Sequence, residues 1–166
     1  MKVVSDSSVL IGLSSIERLA LLHDKYPEGV LIPAAVWKEV VEQGEKRPGA
    51  RKVDQADWIT VHDVKNWEMV QILKMELDEG EAEAIALARE VEADVVLLDE
   101  RDARRAAKHL GLRVLGTVGI LVWAKRGGKI ASLRENLDKL KSMAKFRISQ
   151  TLYDRVLSEI DEQKNN

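Results

Sequence analysis

The chain of 166 residues contains no cysteine. Disulfide staples, thiolate metal sites and a cysteine nucleophile are therefore excluded. Its three histidines, His23, His62 and His109, are too widely spaced to suggest an imidazole metal centre. Aromatic residues make up only 4% of the chain, and Trp37, Trp58, Trp67 and Trp123 read as core or interface residues rather than stacking platforms for bases. No sign of charge dominates: 26 basic residues stand against 28 acidic ones, a formal net charge of −2. That balance excludes a strongly basic, non-specific nucleic-acid binder but leaves room for a local basic patch. No apolar run reaches the length of a membrane span or a signal peptide, so no membrane partner is expected and the expected location is cytoplasmic.

What is present is ordinary for a globular domain, with 45% hydrophobic and 33% charged residues. The length suits a core that needs no staples. Met1-Lys2-Val3-Val4-Ser5 reads as a short strand, ending in Asp6-Ser7-Ser8, where Ser7 or Ser8 can cap the helix that begins with Val9 and Leu10. Ser14 or Ser15 can cap a second helix carrying Ile16, Leu19 and Leu22, broken by Pro27 and Gly29. Val30-Leu31-Ile32 is a second strand. Pro33 suits the first position of a helix holding Val36, Trp37, Val40 and Val41, which stops at Gly44.

Residues 44–49 read as a mobile charged loop, followed by a weak helix over 50–56 and a third strand over 58–62. A helix over 64–77 precedes the clearest one, Glu81 to Val91. Val95-Val96-Leu97-Leu98 is a continuous apolar run, as expected of a parallel strand buried on both faces, and it too ends in an acid, Asp99. A basic helix runs from Arg101 to Leu110, a last strand covers 113–115, and a helix covers 117–125. Two amphipathic segments, 132–144 and 149–162, complete the chain, with a frayed end at Asn165-Asn166. Strands alternating with helices predict an α/β fold, a three-layer α/β/α sandwich around a mainly parallel sheet. The expected division is a domain over 1–130 and a C-terminal helical extension over 131–166 packed on it.

The acids carry the chemistry. An acid after a single strand is often only a helix cap, but Asp6 and Asp99 follow two strands of one parallel sheet and so share its carboxyl edge, where ligands bind. Asp102, one turn beyond Asp99, can face the same cleft or simply occupy the first turn of its helix. On a wheel at about 100° per residue, Glu81 falls between Ala88 and Ile85 on the apolar side, while Glu83 and Glu90 point the other way. A carboxylate aimed at a core costs several kcal/mol unless paired, hydrogen-bonded or bound to a metal. Asp78 and Glu81 also have capping-box spacing, which gives Glu81 a structural role as an alternative. Glu39 lies at the flank of its helix. Converging carboxylates without thiols or clustered imidazoles suit Mg²⁺ or Mn²⁺. Arg101, Arg104, Arg105 and Lys108, on the helix after Asp99, have the donors to grip phosphates, although such a helix can also be a solvated face.

Four segments, Asp6-Ser7-Ser8, Pro33 with Glu39, Gly80-Glu81-Ala82-Glu83-Ala84-Ile85 and Leu97 to Arg104, together resemble the PIN domain family. More narrowly, they resemble its archaeal and bacterial branch related to VapC toxins. The resemblance implies a Mg²⁺- or Mn²⁺-dependent ribonuclease, often homodimeric, that can act as the toxin of a toxin–antitoxin pair, with RNA and an antitoxin protein as partners. Residue by residue it implies Asp6, Glu39 and Glu81 as site acids, with Asp99 or Asp102 in the fourth motif. Joined to the reading of the residues, the expected site has Asp6, Glu39, Glu81 and Asp99 as metal ligands and catalytic acids, Asp102 as a further catalytic acid, Ser8 as a supporting group that orients Asp6 or a metal-bound water, and Arg101, Arg104, Arg105 and Lys108 as RNA-binding residues. Glu81 stands where the family usually has Asp, and Leu98-Asp99-Glu100 replaces the usual Thr-x-Asp. The rival expectation is a catalytically silent module of the same fold that binds RNA or protein. A phosphoacceptor domain ranks lower, because Asp6-Ser7-Ser8 lacks the second acid such sites use.

Overall fold

The computed structural model describes residues 1–45, 47–144 and 146–164. Five strands form one parallel sheet: β1 (Val3–Ser5), β2 (Val30–Ile32), β3 (Ile59–Val61), β4 (Val95–Leu97) and β5 (Val114–Leu115). Their order is β3-β2-β1-β4-β5. The register sets Val3 beside Val95, Val4 beside Val96 and Ser5 beside Leu97. The chain winds outward from β1 in one direction through β2 and β3, then returns to add β4 on the other side. The seam between β1 and β4 is therefore the topological switch point, where an open α/β sheet leaves a crevice at its carboxyl edge.

Side chains alternate across each strand, so the sheet divides the core into two. On one face Val3, Val30, Ile32, Ile59 and Leu97 pack with α1 (Ser7–Ser15), α2 (Ala20–Lys25), α8 (Thr117–Arg126), α9 (Leu133–Met143) and α10 (Gln150–Lys164). On the other, Val4, Val96 and Leu98 pack with α5 (Trp67–Leu73), α6 (Glu79–Glu90) and α7 (Arg101–His109). This is the expected three-layer α/β/α sandwich. The last two helices contribute Leu133, Leu137, Leu140, Tyr153, Val156 and Ile160 to the first core, so their apolar stripes are buried against α1, α8 and each other.

Several boundaries differ from the sequence expectation, each for a local reason. Ser14 and Ser15 do not cap a second helix but close α1, and Ser15 Oγ bonds back to the Ile11 carbonyl at 2.7 Å. The break falls at Glu17, whose φ of 59° lies in the left-handed region. Pro33 is the cap rather than the first residue of α3 (Ala34–Trp37), which continues as a π-helical turn over Lys38–Glu42. The helix expected over 50–56 begins earlier, as α4 (Pro48–Gln55), because Pro48 is preset for a first helical position. Within the loop expected over 44–49, Lys46 lies outside the described residues, as does the frayed end expected at Asn165-Asn166. The helix expected over 64–77 is shorter, since Asn66 caps α5 through the Met69 amide at 3.1 Å. Three tryptophans are partly buried as expected, with Trp58 stacked on His23 at 5.0 Å between ring centres, but Trp67 is half exposed.

Candidate functional site

At the β1–β4 seam the two strand-end acids meet. Asp6 is itself the cap of α1, its Oδ1 accepting from the Val9 amide at 3.4 Å, so Ser7 and Ser8 become the first helical residues instead of the cap. Only 1% of Asp6 is exposed, and its Oδ2 is buried with no hydrogen-bond partner. Burial is the main reason the carboxyl is held well above its ordinary pKa, and the negative charge of Asp99 is the next. Glu81 and Asp78 add smaller repulsions, and the Val9 amide opposes the shift.

The second acid arrives on α6. Asp78 Oδ1 accepts from the Glu81 amide at 2.8 Å, and Glu81 Oε1 accepts from the Asp78 amide at 3.3 Å, a complete capping box of the kind worth about 1 kcal/mol. The capping role and the inward aim, alternatives in the sequence, are both realised. Glu81 is 8% exposed and its Oε2 is buried without a partner. Burial first, then hydrogen bonding with and repulsion by Asp78, push its pKa up to about 8. Gly80 lies against the same cluster: a Cβ there would be in ordinary contact with Glu39 Oε2 and Ser7 Oγ at 3.4 Å and with Asp78 Oδ1 at 3.7 Å.

Asp99 is held differently. Thr117, at the start of α8, donates its amide to Oδ1 and its hydroxyl to Oδ2, each at 2.7 Å. Burial raises the Asp99 pKa, opposed by these two bonds and by the Arg104 guanidinium. Arg104 in turn donates to the Leu98 carbonyl at 2.9 Å. Gly116 leaves room for this junction, since a Cβ there would lie 2.8 Å from both Arg104 Nη1 and Asp99 Oδ1. Glu39, on the π-helical turn, is exposed at the rim and accepts from Ser7 Oγ at 2.7 Å.

The remaining expected residues divide. Asp102 is exposed and ion-paired with Arg105 at 2.8 Å, because the first-turn position at which it stands turns it to solvent. It is not brought to the cluster. Ser7, and not Ser8, makes the hydroxyl contact to a site acid. Arg101, Arg104, Arg105 and Lys108 line a cleft of about 800 Å³ that opens onto Asp99.

Sequence reasoning missed four participants. Thr117 follows the last strand just as Asp6 and Asp99 follow theirs, and that position was its signal. Asp78 was read only as a cap. Glu100, whose charge faces Glu81, caps α7 by accepting from the Asp102 and Ala103 amides. Glu83, expected to point outward, is 3% exposed and accepts from the Ala35 amide at 3.3 Å. It thereby supports the start of the helix that carries Glu39.

Among the described residues no three acids or histidines already stand in a ligating group. The residues nonetheless fit a hard cation. Asp6 Oδ2 and Glu81 Oε2 are buried, unpartnered oxygens on acids that repel Asp99 and Asp78, and such a pair needs either protons or a positive ion. The donors are all oxygen, as Mg²⁺ and Mn²⁺ prefer.

No curated protein matches the chain. Among solved structures it is similar to a PilT N-terminus domain protein, SSO1118, from the hyperthermophilic archaeon Sulfolobus solfataricus P2. The match has 18% identity and a TM-score of 0.47, covering 75% of this chain and 93% of that one. The model of the DUF3368 family, described as a PIN domain, matches residues 2–162, almost the whole sequence, and the chain belongs to that family.

Proposed function

We propose that this PIN domain is a metal-dependent endoribonuclease that hydrolyses RNA phosphodiester bonds, with Asp6, Glu39, Glu81 and Asp99 as the acids around Mg²⁺ or Mn²⁺. The observation that carries the reading is the pair of unpartnered buried carboxylate oxygens, Asp6 Oδ2 and Glu81 Oε2, at the switch point of the sheet. When bound, such a cation polarises the phosphoryl group, acidifies an attacking water and stabilises the leaving oxygen. The chain's own residues prepare for that chemistry. Asp6 and Glu81 each keep one oxygen engaged in a helix cap, which fixes the carboxylate, and one oxygen free. Thr117 fixes Asp99, and Ser7 fixes Glu39 at the rim. Arg101, Arg104, Arg105 and Lys108 position the phosphate backbone beside Asp99. The Arg105–Asp102 pair is exposed and therefore weak enough to yield to a phosphate.

The VapC-like branch, an antitoxin partner, a homodimer and a cytoplasmic location belong to the same proposal, and light scattering tests the dimer directly. Isothermal titration of Mn²⁺ into the wild type and into Asp6→Asn, paired with cleavage of single-stranded RNA, tests the central claim. Mn²⁺ binding and cleavage, both removed by the substitution, are expected. A wild type that binds no Mn²⁺ and leaves RNA intact favours the silent binding module instead.

A further inference from the structure

A second groove also opens on Asp99, lined mostly by other elements than the basic cleft. It measures about 530 Å³ and runs between α8 and α10. Asp99, Arg104 and Leu152 line both openings, so the two form one path that passes the strand-end acid. Three further arginines border the second groove: Arg126 from the end of α8, Arg147 from the segment before α10, and Arg155 from α10 itself. All three are exposed, and among the described residues none makes an ion pair or a side-chain hydrogen bond within the protein. Two acids share the lining, Asp99 and Glu159, and among the described residues no salt bridge joins Glu159 to Arg155. The floor between them is apolar, built from Val118, Val122, Phe146 and Val156.

We infer that this groove is a second RNA-binding limb, in which the C-terminal helices grip the strand where it passes Asp99 out of the cleft along α7. The inference rests on the proposed reading of RNA as the substrate. Unpaired guanidinium groups beside an apolar floor match the two faces of an unstacked nucleotide, phosphate on the arginines and base against Phe146 and its neighbours. A duplex, with its bases stacked inside, presents only the first of these faces, so the limb selects single strands. A purely acidic polypeptide such as poly-glutamate would satisfy the arginines but leave the floor unused. On this view the C-terminal extension holds substrate as well as completing the core.

The test is fluorescence anisotropy of the full chain with a 5′-labelled, mixed-sequence single-stranded RNA in EDTA, across a salt series, which reads binding without cleavage. The triple variant Arg126→Ala, Arg147→Ala, Arg155→Ala should bind at least about tenfold more weakly. Its slope of log K against log salt should fall by about 0.7 for each phosphate that the variant no longer neutralises. The matching triple Lys variant should keep most of the slope, and because all three side chains are exposed, thermal melting should be unchanged in both. Weaker competition by duplex RNA supports the limb. An alanine variant that binds RNA like the wild type overturns the groove and leaves the nuclease reading standing. Preference for poly-glutamate over RNA overturns the groove as an RNA limb. RNA binding with the expected weakening, but no Mn²⁺-dependent cleavage in a separate assay, keeps the groove and sinks the nuclease. No RNA binding by the wild type sinks both.

Discussion

The carboxyl ends of β1 and β4 are neighbours in the sheet and end in the same residue type, yet they treat their acids in opposite ways. Asp99 has a donor for each oxygen, both from Thr117, and a guanidinium nearby. Asp6 has one long bond from the Val9 amide and a buried oxygen with no donor at all. The repulsion between them is mutual, but Asp99 has donors to offset it and Asp6 has almost none, and the Asp99 charge is the largest one acting on Asp6. A structural carboxylate is built like Asp99. A carboxylate left like Asp6 is unstable as a bare anion, and that deficit is what a cation or a proton would relieve.

Substitutions at the two strand ends should therefore separate function from stability. The largest effect is expected from Asp6→Asn: Mn²⁺ binding by calorimetry and RNA cleavage both fall at least about 100-fold. Its metal-free melting temperature should stay level or rise, because a buried repulsion is removed. A marked drop in melting temperature would make Asp6 a structural acid after all. Thr117→Val reverses the pattern. It deletes the hydroxyl donor to a mostly buried carboxyl, which should cost about 1–3 kcal/mol in denaturant unfolding, with a smaller, roughly 10- to 100-fold loss of activity. Wild-type stability in this variant would mean that the Thr117–Asp99 bonds do not anchor the site.

The pH dependence sharpens the comparison on the Asp6 side. An acid whose pKa is raised on folding binds more protons in the folded state, so stability falls as pH rises between the unfolded and folded values. For Glu81 that window runs from the ordinary glutamate value of 4.5 to about 8, and Asp6 shifts in the same direction. In EDTA the melting temperature should be highest near the low end of this window and decline toward its upper end, with Glu81→Gln flattening the decline. A flat wild-type profile would show that neither acid carries the deficit. The smallest effect belongs to Asp102→Ala. Its exposed pair with Arg105 should change stability by no more than about 0.5 kcal/mol and leave Mn²⁺ affinity unaltered. A lost metal affinity there would return Asp102 to the site.

Local pattern carried much of this molecule. Short runs of apolar and β-branched residues marked all five strands, the edge strand β3 included although its Thr60 and Val61 are exposed, and in β4 a parallel strand buried on both faces leaves no polar period to confuse with a helix. Asp6 and Asp99 were legible for the same reason: in a parallel sheet, whatever follows a strand lies at one edge. Glu83 was not legible. The helical wheel assumes one wet face, but α6 is buried from Gly80 through Ala88, with α3 and α5 packed against it and β1 and β4 beneath, so its second face is also interior. Ser7 and Ser8 were indistinguishable as letters, and only the packing of the π-helical turn against α1 put Glu39 within reach of one of them.

The sequence by itself determined the order of elements, the fold class, the hard-oxygen character of the candidate site and the identity of its two strand-end acids, because each follows from local apolar period and residue chemistry. Tertiary structure alone decided which acids lack hydrogen-bond partners. Asp6 Oδ2 and Glu81 Oε2 are orphaned, while Asp99 is satisfied by a threonine eighteen residues further along the chain. Solvent exclusion and donor supply at a carboxylate are set by whatever the fold brings against it from distant segments, and one-dimensional spacing holds no record of that.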